Sequence, residues 1–268
     1  MPNPVETTER SERRRPVVLE SVFGAQALEA AGVVVENGVV RTSNKTGYMR
    51  TFLPEYSRKL VSAPWPDGWR FLEIGGGVGN VIKSALDCGA REIVAVDVEP
   101  SHLEMMQRLI AGTLAQHPEA AFDTIVDSLP ALETLQDRRF ERILCAQVLH
   151  YLSPDQFDPA LARLKALLPP GGELTITVGT PFIGVYESFL PIYEERRERG
   201  DIFAGYMEDA RQFHPNGANH HPGSYLFFGP EDLGEACRRA GFEVLECGFE
   251  DQKTNGRNAA GTVVRRPD

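Results

Sequence analysis

The sequence predicts an α/β fold in which helices cover both faces of a mostly parallel sheet. From Arg70 onward, short β-branched apolar stretches alternate with stretches of helical periodicity. The first of these strands runs into the glycine turn Gly75-Gly76-Gly77-Val78-Gly79 and then into a helix. Near the other end of the chain, two strand-like stretches follow one another without a helix between them. This arrangement predicts an antiparallel pair at the sheet edge.

An N-terminal extension is predicted to precede the sheet. Residues 1–15 are polar, charged and proline-bearing, which is typical of a disordered tail. A cap segment follows over 16–66, with helices predicted at 17–31 and 54–62. Within it, Asn37-Gly38 stands between two β-branched runs and predicts a hairpin. The core is then expected over 67–268.

The core elements alternate in the order expected of a parallel sheet. Strands are predicted at 70–74, 92–97, 123–126, 142–146 and 173–178, with helices at 80–88, 101–116, 131–135 and 155–168. A long stretch at 180–228, rich in aromatic residues and histidine, is predicted to be a helical lid over the substrate. Its charged run at 194–199 indicates a solvated helix face. A helix at 231–240 and strands at 242–247 and 261–265 complete the core.

Composition restricts the partners. The net charge of −10 argues against a nucleic-acid backbone or an anionic membrane as the main partner. Arg13-Arg14-Arg15 is not followed by a clean apolar segment, and no stretch is apolar enough to span a bilayer, so a cytoplasmic protein is expected. Four cysteines without metal-ligand spacing predict reduced thiols; they are Cys88, Cys145, Cys237 and Cys247.

Acidic residues stand at the ends of the first three core strands. Glu73 precedes the first glycine of the turn, Asp97 ends the second strand, and Asp127 ends the third. An acid at the second strand end suits hydrogen bonds to the hydroxyls of a ribose. Asp127 with Ser128 suits an adenine edge, because a carboxylate accepts from an exocyclic amine.

The spacing within the glycine turn separates two kinds of cofactor. A dinucleotide site has the pattern GxGxxG, whereas this chain has an acid followed by GxGxG and carries Asn80 at the last position of that pattern. Glu73 is a poor neighbour for a pyrophosphate and a tolerable one for an ammonium group. The turn therefore favours a cofactor with an amino-acid moiety.

Residues 70–180 resemble a class I S-adenosylmethionine-dependent methyltransferase. Four segments carry the resemblance in order, LEIGGGVG at 72–79, VAVDVEP at 94–100, FERILCAQVLHYL at 140–152 and LLPPGGEL at 167–174. The resemblance implies a Rossmann-like seven-stranded sheet with an antiparallel last strand, and S-adenosylmethionine as the cofactor. It also implies cofactor contacts from Gly75, Gly77, Asp97, Val98, Asp127 and Ser128, and from Gln147, where family members often have Asn or Ser.

The implied chemistry is in-line displacement at the methyl group of a sulfonium ion, for which alignment supplies most of the acceleration. A base helps only a protonated acceptor, and His150 after the fourth core strand is one candidate. Tyr186 and His221 in the lid are further catalytic candidates, whereas the lid histidines lack the spacing of a metal site. Tyr48 and Arg50 are expected to cover the methionine tail and to pair with its carboxylate, respectively.

Three functions stay open. The first is methyl transfer to an oxygen, nitrogen, sulfur or carbon atom of a small molecule, as in secondary metabolism. The second is cyclisation or transfer of the aminobutyryl chain of the cofactor, which would release methylthioadenosine. The third is binding of the cofactor without turnover; a nicotinamide dehydrogenase is the least supported reading. The hairpin and the lid suit a homodimer interface as well as a simple cover.

Overall fold

A computed structural model describes residues 22–35, 39–42, 48–214, 223–251 and 256–268, and every structural statement below refers to these residues. Its strands are β1 (Val39–Arg41), β2 (Tyr48–Arg50), β3 (Arg70–Ile74), β4 (Glu92–Asp97), β5 (Ala121–Val126), β6 (Arg142–Ala146), β7 (Glu173–Gly179), β8 (Tyr206–Met207), β9 (Tyr225–Leu226), β10 (Glu243–Asp251) and β11 (Gly256–Arg265). Its α-helices are α1 (Ala25–Ala30), α2 (Glu55–Ser62), α3 (Asn80–Asp87), α4 (Pro100–Gln116), α5 (Pro154–Leu167), α6 (Leu190–Glu198) and α7 (Pro230–Arg239).

Seven strands form the main sheet in the order β10-β11-β7-β6-β3-β4-β5. Strands β3 to β7 pair in parallel, and β11 pairs antiparallel with both β7 and β10. The prediction of a mostly parallel seven-stranded sheet with an antiparallel last strand is confirmed. The strand order reverses beside β3, so the glycine turn that follows β3 lies at the point where ligands of such sheets bind.

Alternate residues of the central strands face two different cores. Leu72 and Ile74 pack into a cluster formed with α5 and α7. Phe71 points to the other face of β3 and packs into the opposite cluster with α3, α4 and the N-terminal cap. Burial of each large apolar side chain contributes about 1.5–3 kcal/mol, so the two layers hold the sheet edge that carries the site.

One predicted core helix is shorter than expected. The stretch 131–135 forms only a 3₁₀ turn over Glu133–Leu135. Leu132 adopts a φ of 44°, which is outside the helical region and prevents an earlier start. The other core elements lie within a few residues of their predicted bounds, except that the two last strands extend into a longer ladder.

The predicted hairpin is wrong in its first strand. Residues 33–35 form no strand, and β1 pairs instead with β2, with Val40 opposite Met49. Val33 belongs to the cap that follows α1. Its N–H donates to the Leu28 carbonyl at 2.8 Å, and Gly32 before it has a φ of 71°. This is a Schellman motif, which uses the backbone of Val33 before a strand can form. Asn37-Gly38 and residues 1–15 lie outside the described residues.

The insertion between β7 and α7 has a small core of its own. It contains a 3₁₀ turn over Gly184–Phe189, helix α6 and the short β8–β9 ladder. The charged run ends α6 with mostly exposed side chains, as predicted. The Tyr193 hydroxyl donates to Asp232, which ties the insertion to α7. The bounds assigned to tail, cap and lid stay predictions.

Arg142 fastens the N-terminal cap to the sheet. Its guanidinium is 4.2 Å from the ring of Trp65 and 5.0 Å from that of Trp69. It also donates to the carbonyls of Leu60 at 3.4 Å and Pro64 at 3.2 Å. The side chain is 5% exposed, so these partners replace water. The contact fixes the chain between α2 and β3.

We expect Arg142→Met to lower the free energy of unfolding by about 2–4 kcal/mol, because it removes the cation from two indole rings and removes the guanidinium donor from the Pro64 carbonyl. Urea denaturation measures the change. Arg138→Met is the matched control, since the Arg138 guanidinium also lies over an aromatic ring, that of Phe140, but its side chain is 41% exposed, and a change within about 0.5 kcal/mol is expected. Equal losses in both variants would contradict the anchoring role.

Candidate functional site

A cavity of about 740 Å³ opens at the carboxyl ends of the parallel strands. Its floor is the glycine turn and the ends of β3, β4 and β6. Its walls come from the N-terminal cap, the turn after β6, the insertion and β10. The cavity residues with polar or charged side chains include Thr42, Tyr48, Arg50, Ser57, Glu73, Asn80, Asp97, His102, Asp127, Ser128, Gln147, His150, Tyr151, Thr177, His214, Tyr225 and Glu250.

The glycine turn needs glycine for two physical reasons. Gly75 has a φ of 76°, and a Cβ there would lie 2.3 Å from Cγ2 of Val148. Its N–H donates to the Val96 carbonyl at 2.8 Å, which continues the parallel ladder into the turn. Gly77 also has a positive φ, and Met49 from the cap approaches it, so its Cβ would be 3.1 Å from Cγ of Met49. Glycine is therefore required at both positions by the left-handed backbone and by the neighbouring side chains of Val148 and Met49.

Glu73 is a buried carboxyl group at this turn. Its side chain is 2% exposed, and Oε2 has no hydrogen-bond partner among the described residues. Burial, with a further contribution from the charge of Asp97, raises the pKa of Glu73 well above its usual value. A buried acceptor without a donor is costly, which indicates that a cationic or donating group of a ligand completes it.

Asp97 is held in place at the end of β4. Its Oδ1 accepts the N–H of Glu99 at 2.9 Å and lies 3.3 Å from Nδ1 of His102. Since a carboxylate only accepts, Nδ1 of His102 must be the donor in this contact. The following residue, Val98, is 63% exposed and lines the cavity. The aspartate is therefore presented in a fixed orientation next to an apolar surface.

Asp127 and Ser128 lie at the end of β5, as predicted. Asp127 accepts the N–H of Ser128 at 2.7 Å and the N–H of Thr134 at 2.9 Å. Partial burial alone would raise the pKa of Asp127, but the hydrogen bonds from Thr134 and Ser128 outweigh it and lower the pKa. The carboxylate therefore stays ionised and available at the cavity edge.

Gln147 and His150 follow β6. Gln147 has a φ of 58°, a conformation in which Asn is enriched relative to Gln, and its N–H donates to the Thr177 carbonyl at 2.7 Å. This turn directs the 3₁₀ turn Leu149–Tyr151 back over the cavity. His150 is 5% exposed there and accepts the N–H of Gly179 at 3.2 Å.

The cap and the last strands meet above the floor. Arg50 in β2 pairs with Glu250 in β10 through an Nη1–Oε2 distance of 2.8 Å. Both side chains line the cavity, as does Tyr48, which is 65% exposed. The partner predicted for Arg50 was a ligand carboxylate, and the structure shows an ion pair with Glu250.

The lid residues are only partly brought to the cavity. Tyr225 and His214 line it, whereas Tyr186 is buried in the core of the insertion against Phe227. The catalytic candidate His221 lies outside the described residues. The sequence interpretation missed Tyr151, His102 and Glu250. Tyr151 lies on the 3₁₀ turn after β6 and His102 on the first turn of α4 after β4, and a position shortly after a strand end is a usable signal, whereas Glu250 carries no local signal.

The ten predicted cofactor residues all line this cavity. A buried carboxyl without a donor and a fixed aspartate in one cavity fit an amino acid joined to a nucleoside. Among the described residues, no group of three or more His, Cys, Asp or Glu side chains is arranged to hold a metal ion. No helix in the described part of the chain is long and apolar enough to cross a membrane.

A family model described as a methyltransferase domain matches residues 45–247. An uncharacterized methyltransferase-like protein of Schizosaccharomyces pombe is 27% identical over 142 residues, which are 53% of this chain and 47% of that protein. The match thus spans about half the length of that curated relative.

Two solved structures have the same fold. The 1,6-didemethyltoxoflavin-N1-methyltransferase of Burkholderia thailandensis, with bound 1,6-didemethyltoxoflavin and S-adenosylhomocysteine, is 23% identical, with a TM-score of 0.51 over 80% of each chain. The CcbJ methyltransferase of Streptomyces caelestis is 16% identical, with a TM-score of 0.55 over 80% of this chain and 90% of its own.

We expect Gly75→Ala to lower the free energy of unfolding by about 2 kcal/mol or more, because the left-handed conformation and the contact with Val148 both oppose a Cβ. Gly112→Ala is the control. Gly112 is a helical glycine with nothing within 4 Å of its Cβ position, and alanine there should raise stability by about 0.5–1 kcal/mol. Urea denaturation of both variants measures the difference, and a stable Gly75→Ala variant would refute the constraint.

The pKa of Glu73 predicts the pH dependence of the ligand-free chain. The folded-state pKa is raised above the usual 4.5, so folding takes up a proton between these two values and stability falls as pH rises through that window. Glu73→Gln should therefore stabilise the ligand-free chain at pH 7 by about 1 kcal/mol or more, since a tenfold difference in proton affinity corresponds to about 1.4 kcal/mol.

Denaturation at several pH values measures this, and the difference should shrink toward about pH 4, where the carboxyl is protonated in both states. Glu92→Gln, at the exposed start of the neighbouring strand β4, should change stability little at any pH. A Glu73→Gln difference that persists at acid pH would contradict the assignment.

Proposed function

This chain belongs to the methyltransferase-domain family, and we propose that it transfers the methyl group of S-adenosylmethionine to a small-molecule acceptor. The observation that carries the proposal is the buried Oε2 of Glu73, which lacks a donor beside the glycine turn and within the same cavity as Asp97. An ammonium group fits the first position and a ribose fits the second. Family membership supports the same reading.

The residues of the cavity would divide the cofactor among them. Glu73 would accept from the ammonium, Asp97 from the ribose hydroxyls, and Asp127 with Ser128 would border the adenine beside Val98. Gly75 and Gly77 allow the methionine part to lie against the backbone. When bound, the cofactor supplies a methyl group already activated on a sulfonium ion.

Arg50 and Tyr48 are proposed to close the methionine end. The ion pair with Glu250 holds the guanidinium at the cavity wall, where it can meet a carboxylate without a large rearrangement. Gln147 forms the opposite side, with its Nε2 donating to Oγ1 of Thr177 at 3.2 Å. These groups contribute mainly by orienting the methyl group and excluding water.

The acceptor would enter on the side of the cavity formed by His150, Tyr151, Tyr225 and His214. This wall is mainly aromatic, which suits a small organic acceptor rather than a polymer backbone. We further propose a cytoplasmic location, supported by four free thiols, two of them buried at Cys145 and Cys237. A role in secondary metabolism and a homodimer remain proposals of the same kind.

Product analysis tests the reaction. Incubation of the chain and S-adenosylmethionine with a panel of small acceptors should yield S-adenosylhomocysteine and a methylated product. Methylthioadenosine as the product would refute methyl transfer and identify aminobutyryl chemistry. Tight cofactor binding without any product across the panel would instead favour a protein that only binds the cofactor.

We expect Asp97→Asn to weaken S-adenosylmethionine binding about tenfold to hundredfold, because hydrogen bonds from ribose hydroxyls to a charged acceptor are among the stronger ones. Isothermal titration calorimetry measures the affinity. Asp123→Asn is the matched control, since Asp123 lies on the neighbouring strand outside the cavity and is mostly exposed. Similar losses of affinity in both variants would argue against a ribose contact at Asp97.

A further inference from the structure

The hydrogen bond to His150 fixes where its proton lies. The backbone N–H of Gly179, at the end of β7, points to Nδ1 of His150 at 3.2 Å. A backbone amide only donates, so Nδ1 must present its lone pair. The single proton of the neutral ring is therefore on Nε2. That nitrogen has no hydrogen-bond partner among the described residues, and the ring lines the cavity.

His150 stays neutral in this environment. Burial lowers the pKa of His150 to about 3, and the positive charge of Arg50 contributes in the same direction. A general base needs a free lone pair. In His150 one lone pair is used by Gly179, and the other nitrogen carries the proton. The residue can donate a hydrogen bond into the cavity, and it cannot remove a proton from the acceptor.

Two neutral tyrosines and one carboxylate held in an ion pair lie on the side of the cavity that His150 faces. Its ring centroid lies 4.3 Å from that of Tyr151 and 5.8 Å from that of Tyr225 in β9. These two tyrosines share a hydrogen bond, and burial raises the pKa of both, so both remain protonated. Glu250, the carboxylate on this side, is paired with Arg50. The wall thus combines aromatic faces with N–H and O–H donors.

Resting on the methyl transfer proposed above, we propose that His150 is a hydrogen-bond donor, through Nε2–H, to the reacting oxygen of an aromatic acceptor bound as an oxyanion. The oxyanion is a carboxylate, or the anion of an acidic phenol or enol. The acceptor ring lies along the surface formed by Tyr151 and Tyr225, where aromatic side chains favour offset or edge contacts.

This acceptor class balances the reaction without a base. A lone pair of the oxyanion forms the new bond to the methyl carbon, while the carbon–sulfur bond breaks and its electron pair stays on sulfur. The products are a neutral ester or ether and a neutral thioether, and no proton is released. The Nε2–H of His150 holds a second lone pair of the oxygen and thereby orients the first. An alkylamine arrives as an ammonium ion and requires a base that His150 does not supply.

The tautomer is measurable without any substrate. Long-range ¹H–¹⁵N correlation spectra of the ¹⁵N-histidine-labelled chain distinguish the two tautomers, and the His150 signals are those absent from His150→Gln. We expect the Nε2-protonated neutral form across the range in which the chain stays folded. A proton on Nδ1, or an imidazolium ion at neutral pH, would overturn the assignment.

Two substitutions separate donor from base. The amide oxygen and nitrogen of a glutamine are spaced like the two ring nitrogens, so His150→Gln can accept from Gly179 and still donate into the cavity. His150→Leu can do neither. The probes are benzoate and 4-nitrophenolate, titrated into the chain loaded with S-adenosylhomocysteine, with benzylamine as the cationic control.

We expect His150→Gln to bind the two oxyanions within about tenfold of the native chain, and His150→Leu to bind them about tenfold to hundredfold more weakly. Benzylamine should not compete. Unchanged binding in His150→Leu, preference for benzylamine, or no binding of either oxyanion to the native chain would overturn the acceptor class.

The pH dependence of turnover gives a second readout. For a phenol or carboxylate that is fully ionised over the range, kcat/KM should show no acidic limb, that is, no fall toward low pH that disappears in His150→Gln. A limb lost in His214→Gln would identify another base in the cavity wall and would also overturn the inference. Affinity for S-adenosylhomocysteine, measured separately by calorimetry, reports on the proposed function. Its absence in the native chain would refute that function, whereas the tautomer would still be decided by the spectra.

Discussion

The structure depends on one backbone constraint, the left-handed turn at Gly75. The chain leaves the central strand there with no room for a Cβ, because Val148 from the neighbouring strand end fills that space. The N–H of Gly75 still bonds to the adjacent strand, so the turn is a rigid continuation of the sheet. Since it lies where the strand order reverses, every neighbouring strand end points its following residues into the same cavity.

The site is electrostatically incomplete without a ligand. Glu73 is buried with an oxygen that no described residue satisfies, and Asp97 is oriented by His102 with its cavity side open. An unsatisfied buried carboxyl group lowers the free energy of unfolding. A ligand that donates to this group relieves that cost and so binds more tightly. Functional sites commonly retain unsatisfied groups of this kind, because the ligand supplies the missing partner.

Distant parts of the chain meet above the cavity. The Arg50–Glu250 ion pair joins the N-terminal cap to β10. Arg142 in β6 contacts the rings of Trp65 and Trp69, in the segment that links the cap to β3. The insertion contributes Tyr225, while most of its aromatic residues pack among themselves. The predicted cofactor side of the cavity therefore rests on the sheet, and the proposed acceptor side is built from the insertion and the turn after β6.

The sequence by itself determined most of the core strands and helices and the residues that line the cavity at the strand ends. Strand and helix periodicity are local. Glu73, Asp97 and Asp127 lie at or directly after the ends of strands that must converge in a parallel sheet. Only the tertiary structure decided the rest. Val33 takes part in the cap of α1 and not in a strand, and Tyr186 packs in the core of the insertion. Glu250 lies 200 residues from Arg50 in the chain and pairs with it. The proton of His150 was placed by an amide of another strand. Pair contacts of this kind depend on which segments become neighbours, and no local pattern records that.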